Sequence, residues 1–151
     1  MTNFDSERFA KSIQEAGVRK SFGILGGGRS LEVVAALKDN GIEYYPTYFE
    51  GSAAIMAGIS GLLSKKSGLA LSIKGPGLAN LVSGLSLCKH ENLPMIACTE
   101  AYENEINHMR MHKRMNHKKL VSEVVKKSSS IKDISKDFFL ASELARQESP
   151  G

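Results

Sequence analysis

The stretch GLALSIKGPGLANLVSGLSLCKHENLPMIACTE, residues 68–100, contains one complete strand–helix–strand unit. Its two ends, GLALSI and MIACT, are nearly continuous runs of apolar or small residues, which is typical of strands that are covered on both faces. Between them, the turn GPG leads into a helical segment that ends near His90,. Parallel neighbouring strands need a crossover connection of this kind. The stretch therefore predicts a parallel sheet.

The same alternation precedes this unit along the chain. A helix at DSERFAKSIQEAG is followed by the strand VRKSFGIL, a helix at SLEVVAALKDNG by the strand IEYYPTYF, and a third helix begins after Glu50,. Pro46 is expected to end the second strand. A final amphipathic helix is predicted at KDISKDFFLASELARQ. The pattern predicts a single α/β domain, a parallel sheet with helices on both faces.

Two further predictions concern individual helices. In the second helix, Ser30 is expected to be the N-cap, and one face is expected to carry Leu31, Val34, Ala35 and Lys38,. In the helices at 51–63 and 77–88, glycine alternates with alanine and serine. Such residues weaken a helix but allow neighbouring backbones to approach closely.

Composition restricts the class of protein. The chain has 151 residues, of which 42% are hydrophobic and 24% charged, as in globular domains,. Its N-terminus lacks the basic start and apolar run of a signal peptide, and no run approaches the roughly 18 apolar residues that span a bilayer. Two cysteines show no metal or disulfide spacing,. We therefore expect reduced thiols and a cytoplasmic protein with no membrane partner.

The net charge of +4 is distributed unevenly. Residues 1–107 carry 10 Lys or Arg against 11 Asp or Glu, whereas residues 108–151 carry 10 against 5. The basic run NHMRMHKRMNHKK has no interleaved aromatic side chain, which favours a solvated or partner-docking surface over nucleic acid. Its histidines do not have the spacing of a set of metal ligands, so we expect no metal site on this chain.

Three turns that carry glycine or an acidic residue follow predicted strands: ILGGGRS, YFEGSA and IKGPGLAN. Ligands bind at the carboxyl ends of parallel strands, so turns that converge there would form a pocket. Gly26 and Gly28 suggest a dinucleotide site, but Leu31 stands where the third glycine is needed and no acidic residue ends the second strand,. Glycines that only permit a tight turn are the structural alternative.

The segment FEGSAAIMAG, residues 49–58, places the lone carboxylate of Glu50 before small and apolar side chains. A helix N-terminus favours a carboxylate for purely structural reasons. Burial among apolar neighbours, however, disfavours the charged form, and a carboxyl group in such surroundings can exchange a proton near neutral pH. Both the structural and the catalytic interpretation stay open on these residues alone.

Several pieces, in order, resemble one family. FGILGGG, YFEGSAAIMAGISG, and the stretch from GLALSIKGPG to the strand opened by Pro94 are similar to the pyrimidine-binding, N-terminal domain of thiamine-diphosphate-dependent enzymes. The pattern is most similar to that of acetolactate synthase and related 2-oxo acid decarboxylases. The resemblance covers about residues 4–100 and extends weakly to the end. It implies the three-layer fold of that family and thiamine diphosphate as the cofactor.

The resemblance also implies roles for individual residues. Glu50 would be catalytic, because in such enzymes a glutamate there holds a hydrogen bond to N1′ of the aminopyrimidine ring and promotes loss of the proton from C2 of the thiazolium. The cofactor pocket would be shaped by two glycine turns and one asparagine: Gly26, Gly27, Gly75, Pro76 and Asn80. A partner domain would hold Mg²⁺ and the diphosphate, since the family's GDG and NN motifs do not occur here.

Several residues depart from the family's pattern. Phe49 replaces a histidine, and Glu100 lies where the family has a Gly-Gln pair. Lys74 replaces the serine before GPG; it would either bind a substrate carboxylate or mark a site that has lost activity. His108 and His112 are further substrate candidates, as proton donors, because in related decarboxylases this region faces the substrate.

We expect residues 1–151 to form one pyrimidine-binding domain that lacks the family's last strand and its diphosphate-binding domain. The chain would be the small subunit of a two-chain enzyme or a piece of a longer one, part of a lyase or transferase for small 2-oxo acids and inactive alone. Its partner would be a second copy or a chain that carries the diphosphate site. The rival hypothesis is a non-catalytic binding or regulatory module that kept the fold. Decarboxylase, carboligase and oxidase are not distinguished.

Overall fold

A computed structural model describes residues 4–27, 29–102, 112–147 and 149–151. Within these ranges the chain forms four short strands: β1 (Lys20–Ile24), β2 (Glu43–Pro46), β3 (Gly68–Ser72) and β4 (Met95–Thr99). The helices of the same ranges are α1 (Ser6–Glu15), α2 (Arg29–Asp39), α3 (Glu50–Ser64), α4 (Pro76–His90), α5 (His117–Val121) and α6 (Ile134–Arg146).

The four strands run parallel in the order β2–β1–β3–β4. Because β1 pairs with β2 on one side and with β3 on the other, the direction of travel across the sheet reverses after β2. Pro46 ends β2, as expected, and β2 pairs along one side only within the described sheet,. The predicted α/β class with a parallel sheet is confirmed.

Helices cover both faces of the sheet, as predicted. Leu69 and Leu71 of β3 lie in one buried cluster with side chains from α1, α2 and α6. Ala70, between them, lies in a second cluster with side chains from α3 and α4. Successive residues of a strand point to opposite faces, so burial on both faces explains why every residue of β3 is buried and why the strand is apolar or small throughout,.

α3 and α4 lie in close contact on one face of the sheet. A Cβ atom on Gly84 would lie 2.3 Å from the carbonyl oxygen of Gly51, and a Cβ atom on Gly58 would lie 2.7 Å from the sulfur of Cys88. A side chain at Gly84 would therefore push the two helices apart. The prediction that small residues allow close backbone approach is confirmed, and this contact brings the start of α3 near the first turns of α4.

The predicted orientation of α2 was wrong. The helix begins at Arg29, so Ser30 lies inside it rather than at its cap, and Ser30 is buried together with Ala36 and Leu37. Leu31, expected on the buried face, is 62% exposed. The true face is rotated from the predicted one by one residue, or about 100°. The spacing of apolar residues predicted the wrong face because the polar Ser30, whose hydroxyl donates to Glu100, lies on the buried side.

The chain after β4 is basic and less regular. The stretch VSEVV, residues 121–125, contains the last residue of α5 and no strand. α6 is the predicted amphipathic helix, and Asp133 caps it by accepting a hydrogen bond from the backbone N–H of Lys136. Phe138 of α6 packs edge-on against Phe9 of α1. None of the described helices is long and apolar enough to cross a membrane.

Candidate functional site

The turns that follow β1 and β3 are neighbours, because these strands are adjacent in the sheet although β2 lies between them in sequence. A Cβ atom on Gly26, after β1, would lie 3.2 Å from the side chain of Ile73, which follows β3. The helix that begins at Glu50 starts from the same edge, after β2. Parallel sheets bind ligands at the carboxyl ends of their strands, where the strand order reverses. The three turns expected to converge do lie at this edge.

Glu50 is the first residue of α3 and is 6% exposed. Asn80 of α4 donates a hydrogen bond from Nδ2 to Glu50 Oε2 over 3.0 Å. The other oxygen, Oε1, has no hydrogen-bond partner within the part of the chain that the structure describes. Oε1 is not among the buried polar atoms that lack a partner in the described residues, which are Ser6 Oγ and Ser72 Oγ, so it is in contact with solvent. Oε1 is therefore an unused position at which a group on a ligand can form a hydrogen bond.

The turn Gly75–Gly77 brings the start of α4 to this carboxylate. Gly75 caps α4 with a φ of +67°, a backbone conformation that side chains rarely adopt, and Pro76 is the first helical residue, which is a favoured place for proline,. A Cβ atom on Gly77 would lie 3.5 Å from Glu50 Oε1 and 2.8 Å from the side chain of Ile73. The glycine at position 77 therefore lets the turn pack closely against Ile73 while it lies beside Oε1.

A second polar cluster lies at the same edge. Lys74 Nζ donates to Glu100 Oε2 over 2.8 Å, and the two side chains are only 23% and 26% exposed. Ser30 donates to the other oxygen of Glu100, and the Lys74 ammonium lies 4.9 Å from the centre of the Tyr102 ring,. Burial alone would raise the pKa of Glu100, but hydrogen bonds from Lys74 and Ser30 and the charges of Lys74 and Lys113 lower it overall,. An ionised Glu100 thus joins α2 to the ends of β3 and β4.

Residues 112–121, which we call the covering segment, contact the Gly75–Gly77 turn. His117 Nε2 accepts a hydrogen bond from the backbone N–H of Gly75 over 3.1 Å. A Cβ atom on Gly75 would lie 2.3 Å from the carbonyl oxygen of Lys113, so the segment contacts the turn at two places. Burial lowers the pKa of His117, which keeps the imidazole neutral and able to accept this hydrogen bond at neutral pH,.

Most of the predicted cofactor residues are neighbours. Glu50 and Asn80 are hydrogen-bonded, and the turn that contains Gly75 and Pro76 lies beside them. Gly26 is close to this turn through Ile73, whereas Gly27 is exposed and has open space around its Cα atom.

The predicted substrate residues have separate surroundings. Lys74 lies at the site edge but is paired with Glu100. His112 is exposed, and its backbone carbonyl accepts a hydrogen bond from the Tyr102 hydroxyl over 2.9 Å. His108, like Gly28 of the first turn, lies outside the described residues. Those residues contain no group of three or more His, Cys, Asp or Glu side chains placed to hold a metal ion.

Sequence reasoning gave no site role to four residues of this edge: Ser30, Glu100, Tyr102 and His117. Glu100 directly follows β4, so the rule that ligands bind at strand ends could have found it,. Ser30 and His117 act through partners 70 and 42 residues away along the chain. No local pattern carries that information.

Comparison with known proteins identifies the class. The family model of the thiamine pyrophosphate enzyme, N-terminal TPP binding domain, matches residues 6–120. The chain therefore belongs to this family, and its cofactor is thiamine diphosphate. The expected fold class and family are confirmed.

Relatives of the chain are considerably longer proteins. A catabolic acetolactate synthase of Raoultella terrigena is 29% identical over 147 residues, which are 93% of this chain and 26% of that protein. The acetolactate synthase of Bacillus subtilis is 31% identical over 132 residues, 87% of this chain and 23% of that protein. A 2-hydroxyacyl-CoA lyase of Saccharomyces cerevisiae is 29% identical over 96 residues, 64% of this chain and 17% of that protein. The chain spans about a quarter or less of these relatives.

The geometry of the site fits the aminopyrimidine half of thiamine diphosphate. That ring is flat and carries a nitrogen that can share a proton with a carboxyl group. Glu50 offers an oxygen that accepts no hydrogen bond from the described residues, and Gly77 lets the turn before α4 approach this oxygen closely. The carboxylate is also held from its other side by Asn80, so its orientation is already set,.

Proposed function

We propose that this chain is the thiamine-diphosphate-binding domain or small subunit of an enzyme that decarboxylates or ligates 2-oxo acids. The observation that carries the proposal is the largely buried carboxylate of Glu50, with one oxygen held by Asn80 and the other beside the Gly75–Gly77 turn. On this proposal the chain is part of a thiamine-diphosphate-dependent lyase or transferase and is inactive alone. A cytoplasmic location accords with the free thiols of Cys88 and Cys98,.

In the proposed mechanism, Glu50 shares a proton at Oε1 with N1′ of the aminopyrimidine. Asn80 fixes the rotation of the carboxylate through Oε2, so that Oε1 keeps one direction,. Gly77 lets the turn before α4 approach the carboxylate closely. When bound, thiamine diphosphate supplies the electron sink that loss of carboxylate from a 2-oxo acid requires.

The proposal includes a partner domain, because the GDG and NN motifs that the resemblance assigns to the diphosphate site do not occur in this sequence. Two shallow depressions in the described surface, of about 390 and 470 Å³, do not include Glu50; they are lined by Phe4, Asp5, Ser6 and Glu32, and by Met115, Asn116, Lys119 and Leu120. α3 also exposes a row of apolar side chains, as interfaces do: Ile55, Met56, Ile59, Leu62 and Leu63,. We propose that this row contacts the domain that binds the diphosphate through Mg²⁺, on a second chain or a second copy.

Lys74 is the residue that we propose for the substrate carboxylate. Its ammonium lies at the edge where the turns converge, but Glu100 neutralises it at 2.8 Å. Glu100 is therefore an intramolecular competitor, and an anionic substrate must share or displace this carboxylate. The roles suggested for His108 and His112 stay predictions.

A non-catalytic binding or regulatory module is the alternative. The Lys74–Glu100 pair favours it, because a cation that is already paired needs no substrate to satisfy it. The arrangement of Glu50 opposes it, because Asn80 holds Oε2 and leaves Oε1 accessible to a ligand.

The decisive experiment is capture of the partner with a tagged chain from an extract of its source, followed by assay of the complex for bound thiamine diphosphate. The proposal expects a partner with GDG and NN motifs, bound cofactor, and CO₂ release from one or more 2-oxo acids. Capture with the Glu50→Gln chain should recover the same partner without turnover. Self-association without cofactor, even after addition of thiamine diphosphate and Mg²⁺, would favour the alternative.

A further inference from the structure

The covering segment is attached to the cofactor-binding turn at its middle and near its start. At the middle, His117 accepts the hydrogen bond of the Gly75 N–H; near the start, the Lys113 carbonyl packs against the Cα atom of Gly75. The Tyr102 hydroxyl also holds the carbonyl of His112. The far end is anchored in the core, since Val121 is buried in the cluster that contains the α4 side chains.

The hydrogen bond to Gly75 exists in only one protonation state of His117. Nε2 accepts a hydrogen bond from the Gly75 N–H when the imidazole is neutral and carries its hydrogen on Nδ1,. Once His117 is protonated, both ring nitrogens are donors, and Nε2–H would face the N–H of Gly75. The contact then changes from attraction to repulsion.

We infer that neutral His117 is a positioning residue that latches the covering segment onto the Gly75–Gly77 turn, and that protonation of His117 opens this latch. Opening removes one of the two described contacts between the covering segment and Gly75, the cap of α4. The consequence for the cofactor rests on the proposed function, since this turn shapes the space beside Glu50. The latch itself does not depend on that function.

Within the ranges that the structure describes, the charges near the latch do not provide an acidic partner that would retain a protonated His117. The first turn of α4 has no acidic side chain. Glu100, at the end of β4, is already paired with Lys74 from the end of β3. The covering segment itself contributes basic side chains: Lys113, Arg114, Lys118 and Lys119. Positive charge on His117 is therefore disfavoured, in accord with the direction in which burial shifts its pKa,.

The sign of the pH dependence follows from this shift. Since the folded-state pKa lies below the ordinary value of 6.5, the unfolded chain takes up the proton first as the pH falls. The stability of the fold therefore begins to decrease near pH 6.5 and decreases further until the folded-state pKa is passed. The latch is closed at neutral pH and opens in the acidic range.

NMR of the chain alone tests the latch directly, between pH 5 and 8. The His117 ring nitrogens should show the Nδ1–H tautomer at neutral pH, and the amide resonance of Gly75 should titrate with the same midpoint as the imidazole. His117→Gln keeps an acceptor but does not titrate, so its Gly75 amide should be insensitive to this midpoint. His117→Phe lacks an acceptor and should speed amide exchange of Gly75 roughly fivefold to tenfold at neutral pH, as loss of an ordinary hydrogen bond does. The control is His90→Gln, an exposed histidine in the last turn of α4, which should behave as the wild type.

Two results would overturn the inference: a neutral His117 that carries its hydrogen on Nε2, or a Gly75 amide that does not follow the His117 titration. For the consequence, thiamine diphosphate with Mg²⁺ is titrated into the captured complex over the same pH range. Weaker binding at acidic pH in the wild type, but not with His117→Gln, supports a role in positioning. An identical pH dependence in both refutes that role and leaves the proposed function standing. A latch that titrates while no form binds cofactor at any pH refutes the proposed function instead.

Discussion

Replacement of Glu50 by glutamine removes its proton chemistry while it keeps the size and shape of the side chain. The amide oxygen can still accept the hydrogen bond from Asn80. Hydrogen bonds to a charged group contribute about 1.5–3 kcal/mol against about 0.5–1.5 for a neutral pair, so this contact weakens by about 1 kcal/mol. Loss of negative charge at the start of α3 costs about 0.3–1 kcal/mol more,.

The variant should therefore be destabilised by at most about 2 kcal/mol, because removal of a buried charge also removes its desolvation cost. For a domain of this size, that corresponds to a decrease in Tm of up to about 8 °C. The folded state should persist at 25 °C, and the chemistry can be measured on a folded protein.

The effect on proton transfer should be much larger than the effect on stability. A positioned acid–base group contributes about 10²–10⁴ in rate. The assay is hydrogen–deuterium exchange at C2 of thiamine diphosphate in the captured complex, followed by ¹H NMR after acid quench, because this step needs no substrate. We expect Glu50→Gln to slow the exchange at least about 100-fold. Glu91→Gln, which removes an exposed carboxylate at the other end of α4, should leave the rate unchanged.

The reasoning would be refuted by a Glu50→Gln complex that binds cofactor to wild-type occupancy and exchanges C2 hydrogen within about threefold of the wild-type rate, well below the usual acid–base contribution. Glu50 would then be a structural carboxylate at a helix N-terminus. A decrease in Tm far beyond about 8 °C would contradict the stability argument instead, because it would mean that the fold depends on the charge of Glu50.

Two other substitutions test other parts of the structure. Glu100→Gln should free Lys74 and strengthen binding of pyruvate, the smallest 2-oxo acid, by the captured complex in calorimetric titration; unchanged affinity would exclude Lys74 as an anion site. Because hydrogen bonds lower the pKa of Glu100, its contribution to stability is present above the ordinary value of 4.5 and is lost as the pH falls through the folded-state pKa,. Circular dichroism during acid titration should therefore show that the stability of the wild type decreases more steeply below pH 4.5 than the stability of Glu100→Gln. Gly84→Ala places a Cβ atom 2.3 Å from the carbonyl oxygen of Gly51. Urea denaturation should show a loss of about 2 kcal/mol, since overpacking outweighs the gain of about 1 kcal/mol in helix propensity, and a stabilised variant would contradict the close contact of α3 and α4.

The order of strands and helices could be predicted because it rests on local patterns. Strands covered on both faces are apolar throughout, and β3 satisfies this rule at every position,. Glu50 could be singled out because a lone carboxylate beside small apolar residues is an unusual pattern, and this pattern is visible within a few positions of sequence. The buried face of α2 could not be predicted, because the apolar pattern favours burial of Leu31 although Ser30 is the buried residue. The hydroxyl of Ser30 donates to Glu100, 70 positions away, and no local pattern shows this hydrogen bond.

The cluster around Lys74 shows most clearly what the sequence could not reveal. Lys74 and Glu100 each depart from the family's pattern, and taken separately each suggests that the site has lost its chemistry. In the folded chain they form one ion pair, both about three-quarters buried, and Ser30 completes the bonding of the carboxylate. Removal of either partner would leave an unmatched, partly buried charge. Together they alter the polarity of this edge while the Glu50–Asn80 hydrogen bond stays intact. The two departures are therefore one compensated change, and the response of pyruvate binding to Glu100→Gln decides whether Lys74 is an anion site or half of a structural ion pair.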